Sequence, residues 1–114
     1  MFCRKTDEIF SYIKENPNFN ILIAETYQIE QLLIQNLIRD KIEYLSLRNI
    51  VISEECRGIG LFKDIINALE ETKRPILIDD ILNESLFSFF AKRGYVPSEY
   101  IKNNKRIKCM VKRV

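Results

Sequence analysis

A glycine-containing turn between a strand and an amphipathic helix is the feature that most constrains this fold. Residues 42–53, IEYLSLRNIVIS, are rich in β-branched and aromatic side chains and predict a strand. The apolar residues that follow recur at the i, i+3, i+4 and i+7 positions of a helix; they are Phe62, Ile65, Ile66 and Leu69. We therefore predict a strand, a turn containing Gly58 and Gly60, and a helix over about 60–72 that buries one face.

This turn is a candidate anion site. The first amides of a helix have no intrahelical acceptor and lie at the positive end of the helix dipole. Glycines at positions 58 and 60 permit unusual dihedral angles and close approach of a ligand to the backbone. Phosphate or pyrophosphate is the ligand that such a turn favours, although an ordinary connecting turn has the same residues. The dinucleotide fingerprint is excluded because Lys63 replaces its third glycine, and the sequence lacks the P-loop pattern.

The other segments predict a mixed α/β or α+β sandwich in a single domain, residues 1–114. We first expect a helix capped by Thr6 or Asp7 and stopped at 16–18, and then a strand in FNILIAE. After the strand 42–53 and the helix 60–72 come a buried strand in PILID and a helix over 84–93. The chain closes with extended segments over 95–101 and 107–114 around the turn KNNK. Residues 29–38 are ambiguous, because they fit one helix face slightly better than they fit strand alternation.

Composition limits the function classes. The chain of 114 residues has no histidine, which removes the commonest general base and metal ligand, and its three cysteines lack metal-type spacing. A net charge of +2 makes a nucleic-acid partner unlikely. No secretory signal or apolar run long enough to span a bilayer is present, so we expect a cytoplasmic protein without a membrane partner.

Two motifs resemble the Gcn5-related N-acetyltransferase family. The family's acetyl-CoA signature, [Q/R]-x-x-G-x-[G/A] after a strand, is similar to RGIGLF at residues 57–62, with Phe62 in place of the final small residue. Family members often carry an Asn after the next strand, then an aromatic residue seven positions later and a Gly-aromatic pair at eleven and twelve. The residues at this spacing are Asn83, Phe90, Gly94 and Tyr95. The resemblance covers about 19–114.

The resemblance implies direct transfer of an acetyl group from acetyl-CoA to an amine acceptor. It implies a cleft between two splayed parallel strands, 42–53 and 75–80, and a meander before them that reassigns 29–38 to a strand with a turn at 39–41. The pantetheine arm would lie against Ile50, Val51 and Ile52. The pyrophosphate would lie on the amides of Arg57, Gly58, Ile59, Gly60, Leu61, Phe62 and Lys63, with Asn83 facing the pantetheine and Phe90 beside the thioester.

The acid and base stay open at the level of sequence. Many family members protonate the leaving thiolate with a tyrosine where this chain has Phe90, which has no proton to give. Ser85, Ser88 or Tyr95 are the substitutes. Ser46 holds the position nearest to the family's base, and the neighbouring carboxylates are Glu43, Asp79 and Asp80. A chain of waters that relays the proton needs no dedicated base.

Several alternatives accompany this interpretation. A catalytically inactive module of the same fold, which binds acyl-CoA or another protein, is the runner-up because of Phe90. At least two of the three aromatic rings in this segment are expected to pack in the core; the residues are Phe87, Phe89 and Phe90. The basic residues of the tail are expected to form a charged edge strand that resists pairing with the sheet of another molecule. A homodimer or a protein partner would complete the acceptor wall, since the region before the strand 42–53 is short.

Overall fold

One mixed six-stranded sheet organises the molecule. The computed structural model describes residues 5–79 and 84–113. Its elements in chain order are α1 (Thr6–Glu15), β1 (Ile21–Ala24), β2 (Ile29–Arg39), β3 (Ile42–Ile52), a 3-10 turn (Glu54–Cys56), α2 (Leu61–Glu71), β4 (Ile76–Ile78), α3 (Glu84–Lys92), β5 (Val96–Lys102) and β6 (Lys105–Lys112). The strand order is β1-β2-β3-β4-β6-β5, and only β3 and β4 pair in parallel. The predicted α+β class is confirmed at this level.

The ambiguous segment 29–38 is a strand. β2 pairs with β1 on one side and with β3 on the other, so both of its edges are hydrogen-bonded. Asp40 and Lys41 form the turn into β3, and both have a positive φ, as a tight hairpin requires. The reassignment to a strand is confirmed. The helical spacing within 29–38 was misleading because a register shift between Ile29 and Gln31 puts Ile29 in the same core as Leu32 and Ile34, so the buried residues are unevenly spaced along the strand.

The amino-terminal cap and the edge strand differ from prediction. The cap of α1 is Lys5, without a side-chain bond, because Thr6 lies inside the helix and its buried hydroxyl is hydrogen-bonded to Thr26 Oγ1 at 3.1 Å. Thr6 and Asp7 were therefore wrong as caps.

β6, which holds most of the basic tail residues, lies between β4 and β5, so the prediction of a charged edge strand is wrong for β6.

The two faces of the sheet carry separate cores. On the first, which we call the helix-covered face, Leu45 and Leu47 of β3 pack with fully buried residues from all three helices, namely Ile9, Ile13, Ile65, Ile66, Leu69 and Phe90. The second, which we call the open face, buries Tyr44, Leu77 and Cys109. No helix residue in the described ranges joins this second core.

The sheet curves around the open face. Arg39 at the end of β2 donates to the Glu99 carbonyl on β5 and to Cys109 Sγ on β6, the latter at 3.7 Å. Its guanidinium also lies 5.3 Å from the ring centroid of Tyr100. Because β3, β4 and β6 separate β2 from β5 in the strand order, these contacts require a concave sheet.

Two isoleucines of β2 test the location of the main core. Ile34 is completely buried on the helix-covered face, whereas Ile38 on the same strand is 65% exposed. Ile34→Ala is expected to lower the free energy of unfolding by about 2–5 kcal/mol, because it leaves a cavity. Ile38→Ala is the matched control and should cost less than about 1 kcal/mol. Urea denaturation measures both, and equal costs would contradict this account of the core.

Candidate active site

β3 and β4 part in the middle of the sheet. They pair from Leu45↔Ile76 to Leu47↔Ile78, and the N–H of Asp79 donates to the Leu47 carbonyl at 3.2 Å. β3 then continues to Ile52. Within the described residues, no strand pairs with β3 on this side beyond Leu47. The parting therefore leaves a length of β3 edge open to a ligand.

A β-bulge at Arg48 turns backbone groups toward this opening. The register steps from Ile34↔Leu47 to Leu33↔Asn49, so Arg48 is an extra residue. The Leu45 N–H donates toward β4, to the Pro75 carbonyl at 2.9 Å, whereas the Ser53 N–H donates toward β2, to the Gln28 carbonyl at 2.8 Å. Residues 45 and 53 are an even number apart and would face one neighbour in a regular strand.

The bulge thus reverses which residues present their backbone to the β4 side. The backbone N–H of Ser53 points to β2, and the backbone of Val51 points the same way because the two residues are two positions apart. The alternate residues Ile50 and Ile52 therefore direct their N–H and C=O groups into the opening. A side-chain contact supports this orientation, since Arg57 Nε donates to the Ile52 carbonyl at 3.2 Å. The predicted residues Ile50 and Ile52 lie at the opening, and Val51 has its backbone turned away.

The opening is a cleft of about 250 Å³. Its walls combine the parted strands with α2 and α3, and they consist of Leu47, Arg48, Asn49, Ile50, Phe62, Ile78, Asp79, Leu86 and Phe90. Phe90 is fully buried and its ring packs edge-on to Phe62, with ring centroids 5.9 Å apart. The structure therefore brings the predicted residues Ile50, Phe62 and Phe90 together on one wall. Asn83 lies outside the described residues.

The glycine turn lies at the end of β3 and opens α2. Gly58 has φ +85° and Gly60 has φ +87°, so both adopt the left-handed conformation that favours glycine. A Cβ atom added at either position would meet no atom within 4 Å. The first helical bond runs from Asp64 N–H to the Gly60 carbonyl. Within the part of the chain that the structure describes, the N–H groups of residues 58–63 have no acceptor.

Charges beside the turn oppose one another. Arg57 and Lys63 are basic and exposed, but Glu54 and Glu55 precede them and line an acidic groove of about 560 Å³ on the β1–β2 side. These four formal charges cancel, and Asp64 adds a negative charge in the first turn of α2. The preference of the turn for an anion therefore rests on its backbone amides and the helix dipole.

A polar cluster lies on the open face where the strands part; we call it the Asp79 cluster, and it consists of Asp79, Arg48, Tyr100 and Ser46. The side chain of Asp79 is only 6% exposed. Arg48 Nε lies 3.3 Å from its Oδ2, and the Tyr100 hydroxyl donates to its Oδ1 at 2.6 Å. Burial, and then the bond to Asp79, raise the pKa of Tyr100 to about 12. Ser46 is fully buried, and its hydroxyl has no partner among the described residues.

Two predicted catalytic residues lie elsewhere. Tyr95 is buried on the helix-covered face, where its hydroxyl donates to Glu70 Oε2 at 2.9 Å. Burial, and then the bond to Glu70, raise the pKa of Tyr95 far above its usual range. Glu43 is exposed near the opposite end of β3, four residues or roughly 13 Å before Leu47. Ser46 is paired opposite Leu77, two residues before Asp79, so both lie on the face opposite to Tyr95, and Glu43 lies toward the other end of β3.

Sequence reasoning missed Arg48 and Tyr100. Tyr100 lies on β5 and reaches across β6 to β4, a neighbourhood that depends on the strand order. Arg48 faces Asp79 where the bulge interrupts β3, and a bulge has no signature in the sequence of this strand. The resemblance drew attention to carboxylates of the two splayed strands and so selected Asp79, together with Ser46, Glu43 and Asp80, but it selected neither Arg48 nor Tyr100.

Comparisons with known proteins leave the family unassigned. No family model matches this chain, and no curated protein matches its sequence significantly. Among the described residues, no three cysteine and acidic side chains are close enough to hold a metal ion. The helices of residues 5–79 and 84–113 are all too short to cross a lipid bilayer.

Glu70 supplies a pH test of the structural role of Tyr95. Burial, the largest influence, would raise the pKa of Glu70, but hydrogen bonds from Arg93 and Tyr95 and the charges of Arg93 and Lys112 lower it below 4.5. A lowered pKa stabilises the fold at every pH above the unfolded value, and this contribution disappears as the pH falls through the folded value.

Glu70→Gln should therefore destabilise the protein most at neutral pH, and its difference from the wild type should shrink below pH 4.5. The exposed neighbour Glu71 provides the control, Glu71→Gln, whose difference should stay small at all pH values. Urea denaturation from pH 3 to pH 7 measures both. A Glu70→Gln difference that does not change with pH would contradict the assignment.

Proposed function

We propose that this protein is an N-acetyltransferase that transfers an acetyl group from acetyl-CoA to an amine. One observation carries the proposal: among the described residues, β3 beyond Leu47 has no partner strand on the β4 side, and after the 3-10 turn Glu54–Cys56 it is followed by a glycine turn whose amides have no acceptor. The strand edge offers the backbone of Ile50 and the N–H of Ile52, whose carbonyl accepts from Arg57, and the turn offers the amides of residues 58–63. The similarity of the turn and of the Phe90 region to Gcn5-related N-acetyltransferases supports the same assignment.

The chemistry of coenzyme A matches these two surfaces. Its pantetheine arm carries amide groups that can pair with a strand edge, and its diphosphate suits the amides of a helix start. β3 extends five residues beyond Leu47, which is about 17 Å of strand. With the diphosphate on the turn, the arm would run back along β3 and bring the thioester to the point where the strands part.

The parting point offers groups for acetyl transfer. Direct attack needs an amine without its extra proton, and Asp79 has a carboxylate at the edge of the cleft that can accept that proton. Phe90 and Phe62 provide an apolar wall that keeps water from the thioester. Ser46 lies two residues before Arg48 on β3, and among the described residues its buried hydroxyl has no partner.

A second candidate is a module that binds acyl-CoA without transferring it. Phe90 favours this function, because it is fully buried at the cleft and has no hydroxyl to protonate a thiolate. Release of free thiol from acetyl-CoA, measured with lysine peptides, peptide amino termini and small amines, distinguishes the two candidates. Turnover with any amine supports the enzyme, whereas tight binding without turnover supports the module.

Two substitutions at Gly60 test the diphosphate site. Asn and Asp both tolerate a positive φ better than other residues, and a side chain at this position points into open space. Gly60→Asp should bind acetyl-CoA about five- to a hundredfold more weakly than Gly60→Asn, because a unit charge about 5 Å from a diphosphate costs about 1–3 kcal/mol. Calorimetric titration measures both, and equal affinities would place the diphosphate elsewhere.

A further inference from the structure

We propose that Tyr100 and Asp79 form a proton relay in which Asp79 takes the proton of the attacking amine and Tyr100 protonates the departing thiolate. The inference rests on the proposed acetyl transfer and goes beyond it, since it assigns the acid that Phe90 cannot supply. Tyr100 belongs to neither sequence motif, and the fold brings its hydroxyl to Asp79.

The geometry of the Asp79 cluster carries this proposal. The Tyr100 hydroxyl and Asp79 Oδ1 are 2.6 Å apart, which is a short, charge-assisted hydrogen bond. Asp79 lines the cleft, and its backbone makes the last bond between β4 and β3 before the strands part. Arg48 holds the other oxygen of the carboxylate from the bulge. A carboxylate with one oxygen fixed by a phenol is ready to exchange a proton with it.

The reaction balances without any further reactant. The amine nitrogen forms a bond to the carbonyl carbon, and the C–S bond breaks with its electron pair moving to sulfur. Asp79 takes the proton lost by nitrogen, Tyr100 gives its own proton to sulfur, and the proton on Asp79 passes to the Tyr100 oxygen. The products are the acetylated amine and the free thiol, and both side chains return to their starting protonation states.

The direction of proton flow is favourable. Carboxylic acids as a class are much stronger acids than thiols, so net transfer of a proton from a carboxylic acid to a thiolate is downhill. Burial and the bond to Asp79 raise the pKa of Tyr100 to about 12, so its hydroxyl alone is a weaker acid than a thiol. The phenol proton therefore moves to sulfur in the same step in which the proton on Asp79 moves to the phenol oxygen. The other groups facing this pair are Arg48 on β3, Arg39 on β2, and Cys109 on β6, whose burial raises the pKa of its thiol.

Tyr100→Phe tests the relay, because it removes the proton and keeps the ring. The turnover number for acetyl transfer should fall about 10²- to 10⁴-fold, the usual contribution of an acid or base. The dissociation constant of acetyl-CoA, measured by calorimetry, should stay within about twofold of the wild-type value, since the hydroxyl acts on a group formed during the reaction. Tyr44→Phe is the matched control, because Tyr44 also lies on the open face but is hydrogen-bonded to Arg113 and not to Asp79.

A second variant keeps the test valid if Tyr100→Phe folds poorly. Asp79→Asn preserves the shape of the side chain and should lose a comparable factor in turnover. Two residues that act as one relay are not additive, so the double variant should be scarcely slower than the slower single variant. Losses that multiply would overturn the relay, and so would full turnover by Tyr100→Phe.

The two proposals fail in different ways. A wild-type protein that transfers no acetyl group to any amine removes the enzyme and the relay together. Wild-type turnover that survives in Tyr100→Phe removes the relay alone. A turnover loss in Tyr44→Phe as large as that in Tyr100→Phe would show a general sensitivity of the open face, and it would also overturn the relay.

Discussion

The β-bulge at Arg48 is the constraint on which the rest of the site depends. A sheet normally satisfies every inner strand on both edges, because an unpaired backbone group away from water is costly. Here the extra residue reverses the alternation of β3 where its pairing with β4 ends. One irregularity therefore opens the cleft, turns Ile50 and Ile52 toward it, and places Arg48 beside Asp79.

The two cores hold this irregularity in place. On the helix-covered face, α2 and α3 press Phe62 and Phe90 against the parted strands, and the salt bridge of Glu70 with Arg93 ties the ends of these helices together. On the open face, Arg39 draws β2 toward β5. The cleft is thus supported from both sides of the sheet by contacts that do not depend on a ligand.

The sequence predicted the helices and strands better than it predicted which strands and side chains lie next to one another. Strong local patterns found α2 and the buried strand β4, since burial of one helix face or of a whole short strand has a clear period. The segment 29–38 was ambiguous, because the buried residues of this strand are unevenly spaced and so imitate one face of a helix. Thr6 failed as a cap because its hydroxyl is bound to a residue twenty positions away, which no local pattern records.

The candidate site also contains parts that local sequence predicts and parts that depend on the arrangement of the strands. The glycine turn follows from local sequence, and both of its glycines have a positive φ. Of the residues predicted to hold the cofactor, Ile50, Phe62 and Phe90 lie together at the cleft. The chemical groups depend on which strands are adjacent and which face each side chain occupies. For that reason Tyr95 lies on the face opposite to Asp79, and Tyr100 reaches Asp79 across β6.

The most direct test is a titration of ¹⁵N-labelled protein with coenzyme A, followed through the backbone amide resonances. The account predicts that the largest shifts fall on Ile50, Ile52 and the amides of residues 58–63, with small shifts at Gly94, the other glycine of positive φ. Shifts confined to α1, or no shifts at saturating coenzyme, would contradict it.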